Sequence, residues 1–270
     1  MKLNCQIMGI LNVTPDSFYD GGKYNSIEPA LNHAKQMYED GADIIDVGGE
    51  SSRPGAQPIT TEEEIVRVCP VIEKIAKEFP IKISIDTYKA EVAKAALQAG
   101  ATMINDIGGL QHDLEMVTIA AKYKAEIVIM HMKGSPENMQ ENPLYDNIIP
   151  DIYKFLEKSI NLALQNGIKY DKIIIDPGIG FGKTLEDNYK ILKHIKSFEG
   201  LNSRILIGLS RKSLIGNLYK NQNNQTPVDR LPGTIALNVY SMLMGASIIR
   251  VHDVKEHRLA LDCLEELQGT

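Results

Sequence analysis

Polar side chains that could bind or transform a ligand recur along the chain, each at the end of a short apolar run. They are Asn12, Asp46, Asp86, Asn105, Asp106, His131, Asp176, Ser210, Arg211, Lys212, Arg250 and His252. A single carboxylate in such a position often only caps the following helix. These twelve residues occur at the ends of eight successive runs, which is harder to explain as helix capping. The pattern predicts one pocket in which carboxylates, amides and a few cations meet.

Several carboxylates in one pocket repel each other and resist desolvation, so they need hydrogen-bond donors as partners. A 2-amino-4-oxo-pyrimidine ring presents an amino N–H beside a ring N–H, and one carboxylate can accept both. Asn105 could read the mixed edge of such a ring with its amide. Clustered Asp and Asn side chains also bind metal ions. The cations Lys212 and Arg250 at the same mouth favour the ring over a metal cluster.

The elements that must position these residues alternate regularly between strand and helix. The apolar runs are Cys5–Leu11, Asp43–Val47, Lys82–Asp86, Met103–Asp106, Glu126–His131, Lys172–Asp176, Arg204–Leu209 and Ser247–Val251. They are rich in Ile and Val without clean alternation, as is typical of parallel strands buried on both faces. Eight units favour a closed (β/α)8 barrel formed by residues 1–270 as a single domain. An open doubly wound sheet has the same local pattern and stays an alternative.

Helix starts are marked by potential capping residues. Ser26 precedes an amphipathic run that includes Ala30, Met37 and Tyr38. Thr61 with Glu64 and Asp253 with Glu256 fit the capping-box spacing, and the last of these helices should bury Ala260, Leu261, Leu264 and Leu267.

The glycine-rich segment Asp176–Thr184 resembles a phosphate-binding loop but fails its spacing. The P-loop pattern requires glycine five residues before Gly182, and Pro177 stands there. We therefore expect a turn that lets the backbone approach a flat ligand closely. Lys183 is expected to be solvated.

Two further connections, Asn12–Asn25 and Glu50–Thr60, are long for a barrel and contain glycine. Loops of this length are usually functional, so both are predicted to act as lids.

The overall composition limits the function classes. With 43% apolar and 24% charged residues the chain is ordinary for a globular protein, and a formal net charge of −6 offers no basic surface for nucleic acid or an anionic membrane. The three cysteines show no zinc-binding spacing and are expected to be reduced thiols. The N-terminus has neither signal-peptide nor transmembrane character, so a cytoplasmic location is expected.

These motifs together resemble dihydropteroate synthase over nearly the whole length. The resemblance rests on Met8–Gly22, Asp46–Gly55, Ile85–Thr87, Ile104–Asp106, Met130–Met132, Asp176–Lys183, Gly208–Lys212 and Arg250–Asp253. Met8–Gly22 and Gly208–Lys212 are the most specific of these segments. Related pterin-binding methyltransferases share the residues that bind the pterin but lack the two loops that bind the other substrate groups. The family condenses 6-hydroxymethyl-7,8-dihydropterin diphosphate with 4-aminobenzoate, giving 7,8-dihydropteroate and diphosphate for folate synthesis.

The resemblance implies a division of the site into parts. The pterin would be held by Asp46, Asp86, Asn105, Asp176 and Lys212. The diphosphate would be held by Asn12, Ser52, Arg53, Arg250 and His252, with Mg²⁺ on Asn12. The 4-aminobenzoate would be held by Phe18, Pro54, Phe181 and Ser213. The residues expected to take part in catalysis are Asp20, Arg53, Asp86 and Lys212.

The resemblance also implies a homodimer and sensitivity of the family to sulfonamides. Three other functions stay open at this point. They are a methyltetrahydrofolate-binding methyltransferase, a catalytically silent pterin-binding barrel, and a lyase that forms a Schiff base on Lys212.

Overall fold

The apolar runs form eight parallel strands that close into a barrel in the order of the sequence. The computed structural model describes residues 5–14, 27–51, 55–134, 139, 143–219 and 230–269. The strands are β1 (Gln6–Asn12), β2 (Ile44–Gly48), β3 (Lys82–Asp86), β4 (Met103–Asp106), β5 (Glu126–Met130), β6 (Ile173–Asp176), β7 (Arg204–Ile207) and β8 (Ile248–Val251). All eight strand predictions are confirmed to within two residues. Met8 pairs with Ile44 on β2 and with Arg250 on β8, so the sheet has no edge at β1 and the open-sheet alternative is wrong.

Helices connect the strands and cover the outside of the barrel. They are α1 (Ile27–Glu39), α2 (Thr61–Glu78), α3 (Ala90–Ala99), α4 (Glu115–Tyr123), α5 (Ile148–Gln165), α6 (Leu185–Lys193), α7 (Ser213–Gly216), α8 (Leu231–Leu243) and α9 (Val254–Gly269). Short 3-10 helices lie at Tyr170–Lys172, Ile195–Leu201 and Asn217–Tyr219. Among the helices of the described residues, none combines the length and apolar character that a membrane span requires.

The inside of the barrel is filled by a layer of apolar side chains below the polar mouth. Its members are Met8, Ile44, Met103, Val128, Ile174, Leu206 and Ile248, each fully buried. Burying one such side chain contributes roughly 1.5–3 kcal/mol. This packed layer gives the strand ends above it a rigid base.

Several cap and burial predictions need correction. Helix α2 is capped by Thr60, whose hydroxyl accepts from the backbone N–H of Glu63 at 3.2 Å, one residue before the predicted Thr61. Both threonines fit the capping spacing, but Thr60 has the extended backbone that a cap needs. Leu267 is 75% exposed, although it was predicted to be buried, and Tyr38 of the amphipathic run in α1 is 40% exposed. Ser26 lies outside the described residues.

Helix α8 has an unusual distribution of side chains. It turns Thr234, Asn238 and Ser241 inward, and all three are fully buried. Asn238 shares a hydrogen bond of 2.9 Å with His257 of α9. The inner face of this helix therefore carries three buried polar side chains beside the buried Met242, and its outer face exposes Tyr240 and Leu243.

Candidate active site

Three carboxylates and an amide form a buried floor at the C-terminal end of the barrel, as predicted. Asp46 is fully buried at its place on β2, and its Oδ2 accepts from Asn105 Nδ2 at 3.0 Å. The same Oδ2 accepts from Arg250 Nε at 2.6 Å, and Arg250 Nη2 donates to Asp86 Oδ2 at 2.6 Å. Asp46 Oδ1 is buried and has no hydrogen-bond partner among the described residues. The floor therefore retains unused acceptor capacity.

Burial and charge shape the titration of this cluster. Burial raises the pKa of Asp86 to about 7, a rise that Arg250 opposes and Asp46 reinforces. Burial on its own disfavours the charged guanidinium of Arg250, but Asp46 and Asp86 outweigh it and raise the Arg250 pKa. Asp86 can therefore gain or lose a proton near neutral pH while Arg250 stays charged.

Arg250 lies deeper in the barrel mouth than its predicted role in diphosphate binding would suggest. Its two contacts with Asp46 and Asp86 place its guanidinium across the floor, with 19% of the side chain exposed. Two N–H groups are engaged there, and a guanidinium has five donors. Arg250 thus neutralises the floor and retains donors for an anion above it.

Asp176 ends β6 and is held by the glycine-rich turn that follows it. The backbone N–H of Gly178 donates to Asp176 Oδ1 at 2.7 Å, and burial raises the pKa of Asp176. Gly178 has φ +73, and a Cβ there would lie 1.9 Å from the carbonyl oxygen of His131. Only glycine allows the chain to pass this close to β5.

Lys212 and Phe181 lie together beside Asp176, as the predicted site requires. Lys212 Nζ donates to the carbonyl oxygen of Ile179 and lies 4.3 Å from the centre of the Phe181 ring. Burial lowers the pKa of Lys212 to about 8, although Asp176 opposes this. The aromatic ring and the cation are therefore fixed by the same turn.

The expectation that Lys183 is solvated is wrong. Its side chain lies beneath the glycine-rich turn, and the residue is only 3% exposed. Its Nζ is 3.0 Å from His131 Nδ1, 2.9 Å from the carbonyl oxygen of Phe181 and 3.3 Å from that of His131. Burial lowers the pKa of Lys183 to about 7. No local signal in the sequence distinguishes this buried position from a solvated one, because Lys183 stands between Gly182 and the capping residue Thr184 in either case.

Two polar residues at strand ends do not face the pocket. Asp106 uses both carboxylate oxygens on its own loop, accepting from the N–H groups of Gly108 at 2.8 Å and Leu110 at 2.7 Å. Arg211 turns toward the start of α9, where its Nε donates to Asp253 Oδ2 at 2.9 Å. Asp253, predicted as a cap of α9, thus holds the loop after β7.

Asn12 and His252 stand at the mouth where they were predicted. A Cβ added to Gly48, the register partner of Asn12, would lie 3.6 Å from both Asn12 Oδ1 and Asp86 Oδ2. A side chain at position 48 would therefore contact both oxygens. His252 Nδ1 is 2.9 Å from Ser210 Oγ. Within the described part of the chain, no cluster of three His, Cys, Asp or Glu side chains could hold a metal ion.

The loop-borne part of the predicted site is only partly described. Ser213 is exposed and opens α7, a helix of four residues. Phe18, Asp20, Ser52, Arg53 and Pro54 lie outside the described residues, as does most of Asn12–Asn25.

The ends of the β2–α2 connection are joined by a network that the sequence did not reveal. Lys89 Nζ donates to Glu50 Oε2 at 2.6 Å, to Glu64 Oε2 at 2.7 Å and to the carbonyl oxygen of Ile59 at 2.8 Å. Tyr88 donates its hydroxyl to Glu50 Oε1 at 2.6 Å. The connection is thus closed at its base by contacts between residues that are distant in the sequence.

Known proteins share this sequence and architecture. A family model described as pterin binding enzyme matches residues 8–252. The dihydropteroate synthase of Bacillus subtilis is 47% identical over 250 residues, which cover 93% of this chain and 84% of that protein.

Solved structures agree with this relationship. Yersinia pestis dihydropteroate synthase, in complex with a sulfonamide drug, superposes with a TM-score of 0.92 at 44% identity, covering 100% of this chain and 97% of that one. The Xanthomonas albilineans enzyme with 4-aminobenzoic acid gives a TM-score of 0.91 at 39% identity, covering 100% and 96%. The chain belongs to the pterin binding enzyme family and, within it, to the dihydropteroate synthases, which are transferases.

Proposed function

We propose that this chain condenses 6-hydroxymethyl-7,8-dihydropterin diphosphate with 4-aminobenzoate, and that the residues of the barrel mouth carry out the reaction as follows. The observation that carries the assignment of residues is the floor of Asp46, Asp86, Asn105 and Asp176. All but Asp86 are buried, the Asp86 side chain is 10% exposed, and Asp46 Oδ1 lacks a partner among the described residues. A ring with a donor-rich edge supplies the hydrogen bonds that such a floor needs.

The pterin would lie on this floor with its pyrimidine edge toward Asp176 and Asn105. The N–H of Gly178 orients the Asp176 carboxylate for a bidentate contact with the amino and ring N–H groups. Lys212 stands at the side of the ring, where its contacts with Ile179 and Phe181 hold it. This arrangement fixes the exocyclic carbon toward the mouth.

Loss of diphosphate breaks the bond between this carbon and oxygen and leaves positive charge on the pterin. Asp86 would stabilise that charge as it develops, which lowers the barrier more than it strengthens substrate binding. Because burial raises the Asp86 pKa to about 7, the charged form is available at and above neutral pH.

Diphosphate would be bound by Arg250 and His252, with Asn12 and the loop residues Ser52 and Arg53. The side-chain oxygen of Asn12 is a ligand of the kind that a hard cation takes. Asn12 would hold Mg²⁺, which neutralises diphosphate charge when bound. Replacing Asn12 by Ala should then raise the Mg²⁺ concentration needed for half-maximal activity.

The amine of 4-aminobenzoate then attacks the exocyclic carbon and forms the new carbon–nitrogen bond, and its nitrogen gives up one proton to the released diphosphate or to water. We place the carboxylate of 4-aminobenzoate near Ser213. Its ring would lie near Phe181, Phe18 and Pro54, and Asp20 of the loop after β1 would take part in catalysis. The position of Phe181 beside Lys212 supports this part of the assignment.

The reaction is tested with purified protein, the dihydropterin diphosphate, 4-aminobenzoate and Mg²⁺. Dihydropteroate and diphosphate should appear in equal amounts. Folded protein that forms neither product would refute the proposal. Borohydride trapping with carbonyl substrates serves as a counter-test, because an adduct on Lys212 would indicate a lyase instead.

We also propose that the protein forms a homodimer through the outer face of α8. The exposed Tyr240 and Leu243, opposite a polar inner face, support this arrangement. Light scattering should give twice the 30.0 kDa chain mass, and Leu243→Lys should return it to the monomer value. A monomeric native protein would refute the dimer.

A further inference from the structure

We infer that Lys183 is a positioning residue, which with His131 fastens the glycine-rich turn to the end of β5 and thereby sets Asp176 and Lys212 for pterin binding. This inference rests on the proposed function for the ligand that it invokes. It gives a structural role to Lys183, a buried side chain that takes no part in the proposed reaction.

The surroundings of Lys183 match its donors one for one. In its charged form the Lys183 side chain has three N–H donors. Three acceptors lie within reach of Nζ, namely His131 Nδ1, the His131 carbonyl oxygen and the Phe181 carbonyl oxygen. Two of these belong to the end of β5 and one to the turn after β6, so Lys183 joins the two segments.

Other contacts show how closely the turn follows β5. A Cβ on Gly178 would fall 1.9 Å from the carbonyl oxygen of His131, and one on Gly182 would fall 2.3 Å from that of Lys133. Tyr145 donates its hydroxyl to the carbonyl oxygen of Gly182 at 2.7 Å. The turn therefore has little freedom as long as Lys183 and its acceptors remain paired.

The fastened turn supplies two direct contacts to the pterin site. Its Gly178 N–H orients the carboxylate of Asp176, and its Ile179 carbonyl oxygen accepts from Lys212. Removing the Lys183 amine would take from these three acceptors the donor that they share, and two of them are fully buried, which favours a shift of the turn. Both Asp176 and Lys212 would then lose their orientation although neither has been changed.

The test measures binding of 6-hydroxymethylpterin, which carries no diphosphate, by titration calorimetry. Lys183→Met should weaken binding at least about tenfold, since tenfold corresponds to about 1.4 kcal/mol. His131→Leu removes the side-chain acceptor and should also weaken binding. His131→Asn keeps a polar δ atom and should retain affinity within about threefold, less than about 1 kcal/mol. Lys193→Met, a change at an exposed lysine of α6, is the control.

A double variant separates positioning from general damage to the fold. If Lys183 acts through Asp176, Lys183→Met should cost less when added to Asp176→Asn than it costs in the native protein. Full additivity of the two losses, or wild-type pterin affinity in both Lys183→Met and His131→Leu, would overturn the inference. If Lys183→Met does not fold, the comparison of His131→Leu with His131→Asn decides it.

Failure of the wild-type protein to form dihydropteroate would count against the proposed function. It would leave this binding comparison intact, because the comparison requires no turnover. The two ideas therefore fail in different experiments.

Discussion

Arg250→Met tests the electrostatic balance of the barrel mouth. Arg250 makes charge-assisted hydrogen bonds of 2.6 Å with Asp46 and with Asp86, whose side chains are 0% and 10% exposed. Each such bond contributes about 1.5–3 kcal/mol, and removing one partner of a buried ion pair costs about 3–5 kcal/mol. We therefore expect the free energy of unfolding at pH 8 to fall by about 3–5 kcal/mol.

The loss should depend on pH in a defined direction. At pH 6, below its pKa of about 7, Asp86 is largely protonated, so less negative charge is left unpaired when the guanidinium is removed. The destabilisation should therefore be smaller at pH 6 than at pH 8. Adding Asp86→Asn to Arg250→Met should recover about 1–3 kcal/mol at pH 8, because one uncompensated charge is gone.

Urea denaturation of ligand-free protein, followed by circular dichroism, measures these values from the midpoint and slope. A slope equal to that of the native protein shows that the same surface is exposed on unfolding. A loss below about 1 kcal/mol, within the range of an exposed ion pair, would refute the reasoning. Equal losses at pH 6 and pH 8 would refute it as well.

Three further experiments test separate parts of the site. Asp176→Ala should lose pterin binding in calorimetry, whereas Arg53→Ala should mainly lower turnover, by about 10²–10³-fold; equal loss of pterin affinity in both would contradict the assignment. Because the folded-state pKa of Asp86 is raised to about 7, the native protein holds a proton that the unfolded chain releases near pH 4. The free energy of unfolding should therefore fall as pH rises through this window, by at most about 4 kcal/mol at 1.4 kcal/mol per unit, and Asp86→Asn should flatten the profile. Gly178→Ala should lower the melting temperature more than Gly167→Ala, since both have positive φ but only Gly178 meets a carbonyl oxygen; equal shifts would contradict the close approach.

The strands were predictable because their chemistry is local. Runs of Ile and Val that are buried on both faces can be recognised without knowledge of their neighbours, and β3 and β6 end directly at the polar residues Asp86 and Asp176. The convergence of these ends follows from barrel closure. The floor of the candidate site could thus be predicted from the chain alone.

Pairings across long sequence distances could not be predicted. Arg250 reaches Asp46 over 204 residues, and Lys183 reaches His131 over 52. A lysine between glycine and a helix cap has the same local sequence whether it is solvated or buried. The predicted N-cap of α2 was off by one residue for a related reason, because the adjacent Thr60 and Thr61 differ only in backbone conformation.

The exposed apolar side chains of helix α8 link the stability of the fold to protein concentration. If a second copy covers Tyr240 and Leu243, association favours the folded state by mass action. The melting temperature should then rise as the protein is concentrated. Activity in dilute assays should fall with time as protomers separate. Stability and specific activity would thus have to be stated with the concentration at which they were measured, because the folded unit would be an equilibrium between copies.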